Sequence, residues 1–228
     1  MPSPYPPSQP ETQAPGWLET APGRQLLEDV QRAALPEITR VFGQNGLYLR
    51  PSPAISAELS GNMLAKVLNL WSDGSRLSGE ISCLERELPI SSGSMSLVYA
   101  LLVLESSGDP GQLLNECARI LKPEGFVLVL AMNPWSLAQL RWLKPPAPTS
   151  ASRLSRLATD AGLEFVRRQC LGPFWPSATA PAEDSASPGW LDGFRAASLT
   201  VLRRREAALT PLRKAAGPVS LRPGMSAG

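Results

Sequence analysis

A chain of 228 residues with 43% hydrophobic content is long enough for one α/β domain with tails. Its 22 basic and 20 acidic side chains leave a net charge of +2, which is not the profile of a general polyanion binder. The absence of histidine excludes Ser-His-Asp and Cys-His nucleophilic machinery, histidine-based metal sites and an imidazole general base.

The first 23 residues hold seven prolines and few core-formers, so residues 1–23 are expected to be a disordered tail. They show neither the basic nor the apolar region of a signal peptide. The longest apolar run, Leu97–Leu104, has eight residues, far short of the roughly 20 that cross a bilayer. Three widely spaced cysteines, Cys83, Cys117 and Cys170, form no C-x-x-C pair, so neither a disulfide framework nor a metal site is expected. A soluble, cytoplasmic protein with no membrane association is the resulting expectation.

A domain over residues 24–205 follows. Apolar residues from Leu26 to Phe42 recur at helical spacing, and Pro36 predicts a bend between two short helices. Leu47–Arg50 reads as a short strand, Ala54–Met63 as a helix or loop-helix, and Ala65–Trp71 as a strand ending in the turn Ser72-Asp73-Gly74-Ser75. Glu80–Leu84 suggests another short strand. The run Ser96–Leu104 has the pattern of a strand buried on both faces. Asp109-Pro110 starts a helix whose apolar stripe runs through Leu113, Leu114, Cys117, Ala118 and Leu121. Lys122-Pro123-Glu124-Gly125 ends it, with Gly125 expected in a left-handed cap, and Phe126–Ala131 is the next buried strand.

Trp135–Leu143 reads as a short helix, residues 144–148 as a stiff linker, and Ser152–Ala161 as a helix. Leu163–Arg168 and Leu199–Arg204 are strands, separated by a mobile insertion at about 173–189. From Arg203 to Gly228 six basic residues accompany one acid, so residues 206–228 are expected to be a basic disordered tail. Nucleic acid is a possible partner of that tail but not the favoured one. Alternating strands and helices predict an α/β, Rossmann-like, mostly parallel seven-stranded sheet, its last strand antiparallel, with helices on both faces. Ligands of such sheets bind beyond the carboxyl ends of the strands.

One stretch is more specific. Leu88-Pro89-Ile90, Ser96-Leu97-Val98, Val103-Leu104-Glu105, Asp109-Pro110 and Leu114-x-Glu116-x-x-Arg119-Ile120-Leu121-Lys122-Pro123-x-Gly125 follow one another in fixed order. This succession resembles class I S-adenosylmethionine-dependent methyltransferases over about 47 residues. Met132-Asn133-Pro134-Trp135-Ser136-Leu137 further resembles a small proteobacterial branch of methyltransferase-like proteins. The resemblance implies S-adenosylmethionine as cofactor and methyl transfer to an acceptor the sequence does not name.

The family's glycine-rich cofactor loop would fall on Leu47–Ala54, which has no glycine and two prolines. There the resemblance places Arg50 and Ser52. It makes Asp73 the counterpart of the ribose-binding acid. A third family acid falls on Leu84, next to Glu85. Glu105 ends a buried strand at the expected pocket mouth, and Asn133 and Trp135 compare with the Asn/Asp-Pro-Pro-aromatic signature of amino-group methyltransferases, although the second proline is missing. No catalytic residue is singled out. The alternative is a non-catalytic binding or scaffolding protein of the same fold, its cofactor site decayed.

Overall fold

A computed structural model describes residues 20–136, 149–174 and 189–205. The expected segments at 1–19, 137–148, 175–188 and 206–228 lie outside the described residues, including most of the Trp135–Leu143 helix, the linker and the insertion. In chain order the elements are α1 (Ala21–Ile38), β1 (Phe42–Arg50), β2 (Met63–Asp73), β3 (Arg76–Gly79), β4 (Cys83–Leu84), β5 (Met95–Leu101), α2 (Pro110–Ile120), β6 (Leu121–Met132), α3 (Ala151–Asp160), β7 (Leu163–Leu171) and β8 (Ala197–Arg204). A 3₁₀ turn covers Gly189–Phe194.

The eight strands form one mixed sheet in the order β4-β3-β2-β1-β5-β6-β8-β7. β1 pairs parallel with β2 and β5, and β5 with β6. The pairs β2–β3, β3–β4, β6–β8 and β7–β8 are antiparallel. All strands but β3 and β8 therefore point the same way. The last strand is antiparallel as expected, and it slots between β6 and β7. The eighth strand comes from the β2–β3 hairpin, whose turn at Gly74 sets β4 one place further out.

α1 packs on one face through Leu26, Leu27, Val30, Ala34 and Ile38, against Tyr48, Tyr99, Leu128 and Leu199. α2 and α3 cover the other face, where Leu113, Leu114, Cys117 and Leu154 meet Leu49, Val98, Val127 and Leu202. Burying each such leucine is worth roughly 1.5–3 kcal/mol. The Asp109 carboxylate caps α2 by accepting from the Gly111 and Gln112 amides, each at 3.1 Å, and Pro110 sits where no amide is needed.

Three local expectations are corrected. α1 is one helix rather than two, because Pro36 lies in its last turn, where its missing amide costs a single bond. The Thr39 amide still reaches the Leu35 carbonyl at 2.9 Å. Residues 51–62 form no helix. Ser52 Oγ accepts from the Ala54 amide and Ser56 Oγ from the Glu58 amide, local turns that compete with helical bonding. In the Lys-Pro-Glu-Gly break the left-handed residue is Glu124, at φ 65°. Gly125 is needed for space: a Cβ there would lie 3.0 Å from the Lys122 carbonyl oxygen and 3.2 Å from that of Ser96.

Much of the Leu88–Gly125 pattern is scaffold. Arg119 donates to the carbonyls of Leu88 and Ile90 and to Glu116, while Glu116 accepts the Leu88 amide. This pins the Leu88–Ser92 segment to α2. The basic run that opens the tail is also engaged. Arg203 pairs with Glu124, Arg205 pairs with Glu164, and Arg204 donates to the carbonyls of Ala118, Arg119 and Leu121 at the end of α2. Each of these three arginines has a partner within the protein.

Candidate cofactor site at the carboxyl edge of the sheet

The parallel strands bring every residue singled out from the sequence to one edge. Arg50 ends β1, Asp73 ends β2, Glu85 follows β4, Glu105 follows β5, and Asn133 and Trp135 follow β6. Ser52 lies two residues beyond β1. The structure divides them into three groups.

The first is built on Arg50, only 4% exposed. Register pairs Arg50 with Trp71 on the adjacent β2. The guanidinium lies 5.9 Å from the Tyr48 ring centroid and 5.8 Å from that of Trp71. One terminal nitrogen donates to the Ile55 carbonyl, whereas the buried Nε has no partner among the described residues. Burial lowers the Arg50 pKa, partly offset by Tyr48, and burial also pushes the Tyr48 phenol up to about 12. Ser52 is buried, its hydroxyl shaping the turn after β1. Asp73 lies two residues past the Arg50–Trp71 pair, opposite Arg76 in the hairpin.

The second group is a latch. The Glu85 carboxylate accepts from Ser107 Oγ at 2.7 Å, from the Gly108 amide at 3.2 Å and from Ser72 Oγ at 3.5 Å. It ties the end of β2 to the loop after β5. Burial raises its pKa, and these hydrogen bonds oppose the rise.

The third group follows from an unusual backbone. Leu102, immediately after β5, has φ 51°, a strained conformation for a non-glycine residue. Its amide still bonds to the Leu130 carbonyl at 2.9 Å. The turn carries Glu105 back onto β6, where Oε1 accepts the Met132 amide at 2.8 Å. Oε2 is buried with no hydrogen-bond partner among the described residues. Desolvation pushes the Glu105 pKa up to about 7, with the Met132 amide opposing.

Asn133 is taken up by the segment that precedes β8. Its amide nitrogen donates to the Gly193 and Arg195 carbonyls at 2.7 and 2.8 Å, and its oxygen accepts from the Trp135 amide. It anchors the Gly189–Phe194 turn to β6. The Trp135 ring is 75% exposed. Sequence reasoning missed Trp71, Ser72 and Ser107. The first had a signal, an aromatic two residues before the expected acid; the two serines had none, because their partner Glu85 is 13 and 22 residues away.

A model of the methyltransferase domain family matches residues 50–129. The malonyl-[acyl-carrier protein] O-methyltransferase of Methylovorus sp. (strain MP688) is 32% identical over 97 residues. That match takes in 40% of this chain and 33% of that protein, so the chain spans about a third of the relative's length. The fold is that of class I methyltransferases. Solved structures agree in fold. The methyltransferase-type subunit in complex with the Trm112 methyltransferase activator of Haloferax volcanii superposes with a TM-score of 0.58 at 17% identity, covering 87% of this chain and 99% of that one. The N-methyltransferase NodS of Bradyrhizobium japonicum, solved with S-adenosyl-l-homocysteine, gives 0.50 at 15% identity, covering 85% and 93%. Among the described residues no helix is long and apolar enough to cross a membrane, and no group of His, Cys, Asp and Glu is arranged to hold a metal ion.

Proposed function

We propose that this methyltransferase-like domain binds S-adenosylmethionine at the carboxyl edge of its sheet and transfers the methyl group to a nucleophilic acceptor. The observation carrying the reading is the buried Arg50 Nε without a partner among the described residues, at the end of the strand where the family's cofactor loop begins. Glu105 Oε2 is a second such atom at the same edge. A ligand bearing both a carboxylate and an ammonium group suits this pair, and the methionine end of the cofactor carries both. The residues therefore fit the group, with a side chain in place of the backbone amides that Pro51 and Pro53 lack.

When bound, the cofactor supplies a methyl group on a positively charged sulfur, already activated for in-line displacement. The protein's share is orientation and exclusion of water. Arg50, fixed by Tyr48 and Trp71, would hold the carboxylate, Glu105 the ammonium, and Asp73 the ribose hydroxyls. The Glu85 latch would hold the β2 and β5 ends together around the ligand, with Ser52 shaping the turn beside it. The exposed Trp135 ring is the proposed contact for the acceptor, and Asn133 positions it through the bond to the Trp135 amide. No dedicated base is required for an acceptor that is nucleophilic in its neutral form. We read residues 24–205 as the domain and the cytoplasm as its compartment, in keeping with three free thiols.

The test is equilibrium binding of S-adenosylmethionine to the full chain and to Arg50→Met. Methionine keeps an unbranched chain between the rings and removes the cation. The expected result is saturable binding to the natural chain, weakened at least about tenfold in the variant. Equal affinity of the two proteins would contradict the assignment of Arg50. No binding to either would favour the scaffolding alternative.

A further inference from the structure

We propose a second ligand site, on the α1 face of the sheet, that takes a small amine with an apolar or aromatic body and a hydrogen-bonding group at its far end. A cavity of about 310 Å³ opens between the second half of α1 and the connection from β1 to β2. It lies where residues 51–62 form turns instead of a helix, so that α1 has no helical neighbour at this point. Its volume is at the lower end of the range of small-molecule pockets.

Tyr99 lines the cavity and is fully buried, and its hydroxyl has no hydrogen-bond partner among the described residues. The neighbouring phenol is different. Tyr48 stacks on Tyr99 with ring centroids 5.4 Å apart, and its hydroxyl is engaged by Gln31 Nε2 at 2.9 Å. The site therefore has an inner hydrogen-bonding atom left for a ligand. A buried hydroxyl without a partner is costly, and a ligand atom that bonds to it relieves that cost.

The walls set the rest of the ligand. Leu35, Ile38 and Leu59 give apolar contact. Glu28 on α1 and Glu58 on the connection contribute two exposed carboxylates from opposite sides. Arg32, the one basic residue of the lining, is tied to Asp29 at 3.2 Å. The outer part is therefore negative and favours a cation. The site is distinct from the carboxyl edge. Leu35 packs beside Gly61, just before β2 begins, where a Cβ would lie 3.1 Å from Leu35 Cδ2. Arg50, Asp73 and Glu105 do not line the cavity.

The experiment is amide NMR titration of the full chain with tyramine, whose ring, ammonium and hydroxyl match the three parts of the site. Phenethylamine, lacking the hydroxyl, and 3-(4-hydroxyphenyl)propionate, carrying the opposite charge, are the comparison ligands. Saturable shifts at residues 28–38 and 58–60 are expected, with tyramine about tenfold tighter than phenethylamine and the carboxylate weaker than both. Tyr99→Phe removes a single unpartnered oxygen and should keep the fold. It should bring tyramine down to the affinity of phenethylamine. Absence of shifts at millimolar tyramine, equal affinity for the two amines in the natural chain, equally tight binding of the carboxylate, or unchanged tyramine affinity in Tyr99→Phe would each overturn the proposal. Because the readout maps to α1 and residues 58–60, failure of cofactor binding at Arg50 leaves these outcomes intact.

Discussion

Replacing Glu105 with glutamine should make the protein more stable at alkaline pH and should remove part of its pH dependence. In the folded chain burial pushes the Glu105 pKa from 4.5 up to about 7. The folded state therefore keeps this proton to higher pH than the unfolded state does. Between about pH 4.5 and 7 it binds more protons than the unfolded chain, so stability falls as pH rises. Below the unfolded value the effect vanishes, and above the folded value it is complete. At 1.36 kcal/mol per pKa unit, the full cost of ionising Glu105 is about 3–4 kcal/mol, most of which falls between pH 5 and pH 8. Glutamine is uncharged at every pH and keeps the oxygen that accepts the Met132 amide. Urea unfolding at pH 5 and pH 8 measures the difference. The natural chain should lose about 2–3 kcal/mol more than Glu105→Gln across that interval. Glu85 also titrates with a raised pKa, but it does so in both proteins and cancels in the comparison. An equal loss in the two proteins would refute the claim that the Glu105 carboxylate is desolvated.

Two further substitutions test the scaffold around the site. Glu85→Ala removes the acceptor shared by Ser72, Ser107 and the Gly108 amide, and should cost about 2–3 kcal/mol in urea unfolding; a loss below about 0.5 kcal/mol would show that the latch is not holding the β2 and β5 ends. Gly125→Ala sets a Cβ against two backbone carbonyls and Leu121 Cδ2, at 3.0 to 3.2 Å, and should cost about 1–3 kcal/mol by thermal unfolding. An unchanged midpoint would contradict the close approach.

The fold was legible wherever local chemistry and tertiary packing agree. The Ser96–Leu104 run, the Asp109-Pro110 start and the Lys-Pro-Glu-Gly break each carry their own physical signal, and β5, α2 and β6 follow from them. The antiparallel position of β8 was also readable, whereas the extra strand β3 was not, since four residues from Arg76 to Gly79 carry too little pattern. Residues 54–63 misled because serine side chains satisfied the backbone locally. The same divide runs through the site. Arg50, Asp73 and Glu85 are singled out by the family resemblance, and Glu105 by its place at a strand end. Their roles could not be read, because these depend on contacts distant in sequence: Glu105 with Met132, Glu85 with Ser107, and Asn133 with Gly193 and Arg195. Arg50 looked like a loss in a missing glycine loop, and only the Tyr48 and Trp71 rings around it show a cation held in place.

The central claim is that the carboxyl edge, with Arg50 and Glu105, still takes the cofactor. Calorimetric titration of the full chain with S-adenosylmethionine at pH 7, in two buffers of different ionisation enthalpy, tests it directly. If the ammonium group settles against Glu105, the carboxyl pKa falls from about 7 and roughly half a proton is released per cofactor bound. The account predicts saturable binding, an observed enthalpy that differs between the buffers by that fraction, and no such difference in Glu105→Gln. An absence of heat and of thermal shift in both buffers at millimolar cofactor would contradict it.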